Sequence, residues 1–224
     1  DERSVTRGEV LALRLARQAG IAAVNARIVM VKDSPIAVIS RFDRSSDQGR
    51  IAYLSAASLL QASRTQEHAY TEVVDAMRTA SVEAKADAQQ LWRRLVFNHL
   101  ITNVDDHLQN LGFLYVGNGL WRLAPAFDLN PFPDKDRESK TWLSEDTGPI
   151  TSIETLIEKA GYFHLAEPEA LAVLVDVHGV VTGWRSLAMS AEVGLTAAEV
   201  EEFAPAFEHA EMDRVKALLS VKNF

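Results

Sequence analysis

The stretch that most constrains this chain is "DAQQLWRRLVFNHLIT", residues 87–102, which is amphipathic and unbroken by glycine or proline. Leu91, Leu95, Val96 and Leu100 recur at helical spacing, so the segment must turn one apolar face onto a core. It runs directly into "NVDDHLQN", residues 103–110, where two adjacent carboxylates, an imidazole and several amides crowd eight positions. Beyond it, "LGFLYV", "GNG" and "LWRLAP" read as two strands closed by a turn in which Gly117, Asn118 and Gly119 tolerate positive φ. "AFDLNPFP" leaves that hairpin as a proline-rich loop. A hairpin folds back on itself, so it can return Asp128 of the second loop to the neighbourhood of Asn110 in the first.

The flanks add a smaller part and a larger one. "RGEVLALRLARQAG" has helical spacing and a stop at Gly20, and "NARIVMV" and "PIAVISRF" are β-branched runs separated by Lys32, Asp33 and Ser34. After the polar loop "SSDQGR", "YLSAASLLQA" is short and apolar and "AYTEVVDAMRTA" is amphipathic. From Thr151 onward the pattern is helical again, with capping-box spacing in "TSIE" and in "TAAE", Thr196 to Glu199. Pro205 is placed to start or kink a last helix, "PAFEHAEMDRVKALL". The expected class is α+β, divided into residues 1–44, a helix plus strands with a hinge at 40–44, and residues 45–224, mostly helical with polar loops at 103–110 and 124–131.

Composition narrows the chemistry. A chain of 224 residues, 47% of them apolar, can bury a substantial core without staples. The absence of cysteine excludes disulfides, thiolate nucleophiles and cysteine-based zinc sites. A net charge of −8 argues against direct, nonspecific nucleic-acid binding. No apolar run approaches the ~20 residues that span a bilayer, and "DERSVTRGEV" is not signal-like, so no membrane association and a cytoplasmic location are expected.

Asp105 and Asn110 have the spacing of the protein-kinase catalytic loop, in which an aspartate orients the attacking hydroxyl and an asparagine binds magnesium. The spacing alone is common, and such residues at a helix end ordinarily cap and turn the backbone. Asp128 improves the match, because phosphoryl transfer needs a second hard oxygen ligand after the loop. His107 has no H-E-x-x-H partner, and its expected work is to orient Asp105 by a hydrogen bond. Arg93 and Arg94 read as a solvated helix face, Trp92, Trp121, Trp142 and Trp184 as core anchors, and the other histidines as surface or core residues.

"RFDR" at residues 41–44, "FNHLITNVDDHLQNLGFLY", "WRLAPAFDLNP" and "FEH" near the C-terminus resemble, in that order, segments of the HipA-like serine/threonine kinases, toxins of type II toxin–antitoxin modules. The resemblance runs from about Val10 to His209. It implies a protein-kinase-like fold, with a mostly α-helical C-lobe carrying an embedded β-hairpin and a partial small α/β N-lobe. It implies ATP and Mg2+ as cofactors, a protein hydroxyl as substrate and a DNA-binding antitoxin as partner. By the same resemblance Asp105 is the catalytic aspartate and Asn110 and Asp128 hold the metal. Ser40, Arg41 and Phe42 of "ISRF" link the lobes and meet the adenine, with Phe42 packed near the base. Family members often carry glutamate where Ser40 stands and lysine or arginine where Gln109 stands. Their nucleotide-anchoring lysine lies on a strand that would precede Asp1, and Glu9 is placed to pair with it.

Two rival readings use the same residues. One is a kinase-shaped binding module without activity. The other is a metal-dependent phosphohydrolase built on Asp105, Asp106, His107 and Asp128.

Overall fold

The computed structural model describes residues 4–47, 49–63 and 65–221 and begins with α1 (Val5–Gln18), whose Val10, Leu11, Leu13 and Leu15 are buried. Gly20 ends the helix at φ +73°. β1 (Ala26–Val31) and β2 (Ser34–Ile39) form an antiparallel hairpin with Val31 opposite Ser34. Lys32 and Asp33 make its two-residue turn at φ 47° and 63°, the hand that suits the twist of a hairpin, while Ser34 opens the second strand.

The larger part follows. β3 (Tyr53–Ser55) leads into α2 (Ala56–Leu59), then α3 (Tyr70–Ala80) and α4 (Ala84–Leu100). β4 (Gly112–Gly117) and β5 (Leu120–Leu123) are the expected hairpin, and β3 adds to its outer side with Tyr53 opposite Leu114. A second small hairpin, β6 (Trp142–Ser144) and β7 (Gly148–Pro149), precedes α5 (Ile153–Glu158) and a 3₁₀ turn at Ala160–Phe163. The chain then runs through α6 (Glu167–Thr182), α7 (Trp184–Ala188), α8 (Ala197–Phe207) and α9 (Ala210–Val221). Among the described residues no helix is long and apolar enough to cross a membrane.

Helix ends follow local chemistry. The box at Thr196 forms as expected, its hydroxyl accepting from the Glu199 N–H while Glu199 accepts from the Thr196 N–H. The "TSIE" box does not form: Ser152, one residue later, caps α5 by accepting from the Thr155 N–H at 3.3 Å. Pro205 neither starts nor kinks the last helix but lies inside α8, close enough to its end that one missing donor is tolerated, and Glu208 N–H still reaches the Ala204 carbonyl at 2.7 Å.

α4 is the beam of the larger part. Leu91, Leu95, Val96 and Leu100 are all buried, and Trp92, fully enclosed, donates to the Leu156 carbonyl at 3.0 Å. Trp184 is equally buried and stacks on Phe207, whereas Trp121 and Trp142 are only half-buried. Near the other end of the beam, His99 meets Glu211 of α9 at 3.0 Å.

His209 sits in the break between α8 and α9, its Nε2 against the Leu100 carbonyl at 3.0 Å and its Nδ1 buried without a partner. Burial, aided by Arg137, pushes the imidazole down to about 4. The native state therefore favours the neutral ring: its contribution to stability is complete above the unfolded value of about 6.5 and is lost as pH falls through about 4. Urea titrations at a series of pH values should show this site contributing up to about 3 kcal/mol of the fall in unfolding free energy between those limits. His209→Gln, which keeps a donor for Leu100 and cannot ionise, should flatten that part of the curve.

Candidate active site

α4 ends in a turn that aims the next residues back at the protein. Thr102 adopts φ +52°, its N–H reaches the His99 carbonyl at 3.4 Å, and the Asn103 N–H reaches the Asn98 carbonyl at 2.8 Å. This is the Schellman pattern, with a β-branched residue where glycine is usual. The Thr102 hydroxyl donates to the Ala206 carbonyl at 2.9 Å, which holds the strained residue in place. Asn103 then ties the two polar loops together, its side-chain oxygen accepting the Asn130 N–H at 3.3 Å.

The adjacent aspartates have opposite surroundings. Asp106 is buried and accepts from the Tyr70 hydroxyl and the Lys140 N–H, both at 2.7 Å, while its carbonyl accepts from the Thr141 hydroxyl at 2.8 Å. Burial pushes its carboxyl up to about 6 despite those donors. Asp105 is half-exposed and receives the ammonium of Lys140 on Oδ1. That contact, with smaller help from His107 and Lys135, holds the Asp105 carboxyl below its ordinary value. His107 Nε2 lies 3.9 Å from the same oxygen, too far for a hydrogen bond, so the orienting bond expected of His107 is made by Lys140 instead.

Asp128 reaches this loop from beyond β5. Its backbone is left-handed, φ +53°, and its carboxylate is gripped on both sides: Asn110 Nδ2 donates to Oδ2 at 2.8 Å and Asn130 Nδ2 donates to Oδ1 at 2.9 Å. The Asn110 amide also lies 3.4 Å from the Asp105 carbonyl, closing its own loop. Arg94 holds the approach. Rather than lying on a solvated face, it is buried and donates to the Ala124 carbonyl at 2.7 Å, with burial bringing its guanidinium down to about 10. Arg93 too is mostly covered, donating to the Ala19 carbonyl at 2.8 Å beside Asp176, so neither cation lies on a solvated face.

Two adjoining hollows share Phe127 and Asp128 as a wall. One contains Asp105, Asp106, His107 and Asn110; the other, about 570 Å³, is lined by Glu9, Ser40, Arg41, Phe42 and Tyr53. Phe42 stacks on Phe127 at 5.4 Å between ring centres, and Tyr53 completes the cluster at 5.9 and 6.1 Å. Gly112 makes room for it, since a Cβ there would overlap the Tyr53 ring. The Ser40 N–H is spent on the Asn25 carbonyl, and the Arg41 side chain is clamped to Asp43. Glu9 is half-buried in the same hollow, its carboxyl raised by burial and then by Asp128, and no ion pair to it occurs among the described residues.

Mg2+ binds through one or two protein oxygen ligands and keeps waters and phosphates for the rest, and Asn110 and Asp128 could supply that number once the Asn110 and Asn130 amides turn off the two Asp128 oxygens they hold. The donor set does not suit a cluster of protein ligands. Among the described residues no three histidine, aspartate or glutamate side chains gather closely enough to hold a metal, and both oxygens of Asp106 are occupied.

Residues 1–206 match the family described as the HipA-like C-terminal domain. The chain belongs to that family. Its fold is similar to HipA of the Shewanella oneidensis MR-1 toxin–antitoxin system, solved with HipB and operator DNA, at a TM-score of 0.72 and 17% identity, covering 100% of this chain and 59% of that one. It is also similar to the Helicobacter pylori proinflammatory kinase CtkA, at a TM-score of 0.67 and 14% identity, covering 97% of this chain and 87% of that one. A Haemophilus influenzae protein described as a candidate kinase is 27% identical in a 109-position alignment that covers 43% of this chain and 32% of the relative.

Set on this HipA-like frame, the sequence-derived residues fall into two neighbouring groups, Asp105, His107, Asn110 and Asp128 around the loops, and Ser40, Arg41 and Phe42 across the aromatic cluster. Lys140, Tyr70, Tyr53 and Phe127 were not legible, because each acts through a partner far away in the chain. The twin aspartates of this HipA-like domain should separate in chemical denaturation. Asp106→Ala leaves the Lys140 N–H without its acceptor and the buried Tyr70 hydroxyl with only the residue-106 carbonyl, and should cost about 3 kcal/mol, whereas Asp105→Ala loses a solvent-facing pair worth at most about 1 kcal/mol.

Proposed function

We propose that this chain carries most of the catalytic unit of a HipA-like protein serine/threonine kinase, which transfers the γ-phosphoryl group of ATP to a protein hydroxyl. The observation that carries the reading is the 2.8 Å contact between Asn110 and Asp128, which joins two loops on either side of a hairpin and has Asp105 at the head of the first. The family membership and the kinase-like neighbours support it.

Each residue then has a task. Asp105 faces the substrate hydroxyl, orients it and takes up its proton. Asn110 and Asp128 hold Mg2+, which neutralises phosphate charge when bound. The backbone from Ser40 to Phe42 borders the adenine, and the Phe42 ring, backed by Phe127, supplies an apolar wall. Glu9, a partly desolvated carboxyl beside Asp128, is suited to a cation such as the nucleotide-anchoring lysine that the family resemblance implies. His107 lines the site without directing Asp105. The partner we infer is a DNA-binding antitoxin, on the analogy of the HipA complex that contains HipB and operator DNA. The net charge of −8 favours contact with DNA through such a partner over direct binding.

The test is radiolabel transfer from ATP by the full-length gene product, measured beside its Mg-ATP affinity. Asp105→Asn should lower transfer by about 100-fold or more while leaving the affinity within a few-fold. Equal phosphorylation by the wild type and the substituted protein would remove Asp105 from the chemistry. Tight Mg-ATP binding with no transfer by either protein would identify a binding module.

A further inference from the structure

The segment between Asp128 and β6 sends one charged side chain back to the catalytic loop. Lys140 is anchored through its backbone: its N–H donates to Asp106, Thr141 beside it donates to the Asp106 carbonyl, and the Ser139 hydroxyl donates to the Thr141 carbonyl at 2.7 Å. The Ser139 oxygen in turn accepts the Ile150 N–H at 2.7 Å. From this fixed base the ammonium reaches Asp105 Oδ1, and the side chain remains 54% exposed. A group held at its root and open at its tip can meet a ligand without rearranging the fold.

No other cation is so placed among the described residues. The loop 103–110 contains no lysine or arginine. Arg94 is spent on the Ala124 carbonyl, Arg93 lies at Ala19 and Asp176 and Arg137 donates to the Pro205 carbonyl, while Lys135 acts on Asp105 only through space, its ammonium resting over the Phe132 ring. Phosphoryl transfer next to Asp105 spreads negative charge over the moving group, and fixed cations at that point are among the strongest sources of rate.

We propose that Lys140 is a catalytic cation, which steers Asp105 before the nucleotide enters and meets the phosphoryl group as it passes to the hydroxyl. This rests on the kinase reading above. In the step, the bond from the γ-phosphorus to the β,γ-bridging oxygen breaks with its electron pair leaving on ADP. A bond forms from phosphorus to the substrate hydroxyl oxygen, and the hydroxyl proton passes to Asp105. Lys140 stays protonated throughout and supplies charge alone.

The experiment is single-turnover transfer by the full-length gene product, with ADP affinity and thermal melting measured in parallel. Lys140→Ala should slow transfer by about 100-fold with ADP affinity within threefold, and Lys140→Arg should recover part of the rate. Added propylammonium should raise the rate of Lys140→Ala but not that of Asp105→Asn, a response that a purely structural role does not give. Should Lys140→Ala melt early, Lys140→Gln read in the same assays takes its place. Transfer within threefold of wild type for a folded neutral variant, while Asp105→Asn is dead, overturns the role of Lys140 alone. So does slowing that neither arginine nor propylammonium relieves. Full activity of Asp105→Asn overturns the kinase reading beneath it.

Discussion

A buried carboxylate at Asp106 is the fastening on which the site depends. Its side chain and carbonyl take donors from α3 through Tyr70 and from the segment before β6 through Lys140 and Thr141. Burial of that group is costly and pushes its ionisation up to about 6, and the surrounding donors offset part of the cost. Three stretches far apart in the chain are thereby held at one point, and Asp105, the preceding residue, inherits its position from them.

The second loop is secured by different means. Arg94 grips the Ala124 carbonyl, two amides grip Asp128 in a left-handed conformation, and the Phe42–Phe127 stack ties it to the irregular segment that follows β2. Both loops hang from α4, one from its Schellman end and one from an arginine on its flank. The helix that had to bury an apolar face also carries the fittings of the site.

Helical periodicity made α4 legible, alternation and a Gly-Asn-Gly turn made the β4–β5 hairpin legible, and the offsets of Asp105, Asn110 and Asp128 along those elements pointed to one neighbourhood. Strands as short as β3, β6 and β7 carry too few residues for a period to emerge. Arg94 reads as a solvated residue in sequence because nothing in its own neighbourhood announces a carbonyl 30 positions away. The same holds for Lys140, 35 residues beyond Asp105, and for Asp106, whose neighbour in sequence looks identical until burial separates them. Pairings of that range are set by tertiary packing, and local pattern does not encode them.

The clasp at residues 139–141 gives the exposed loop before it leverage. Residues 134–136 stand at the surface, while a few positions later the same backbone is stitched beneath Asp105. Only Arg137 and Glu138 separate that exposed stretch from the clasp, so a displacement of residues 134–136 has little chain in which to dissipate before it reaches the twin aspartates.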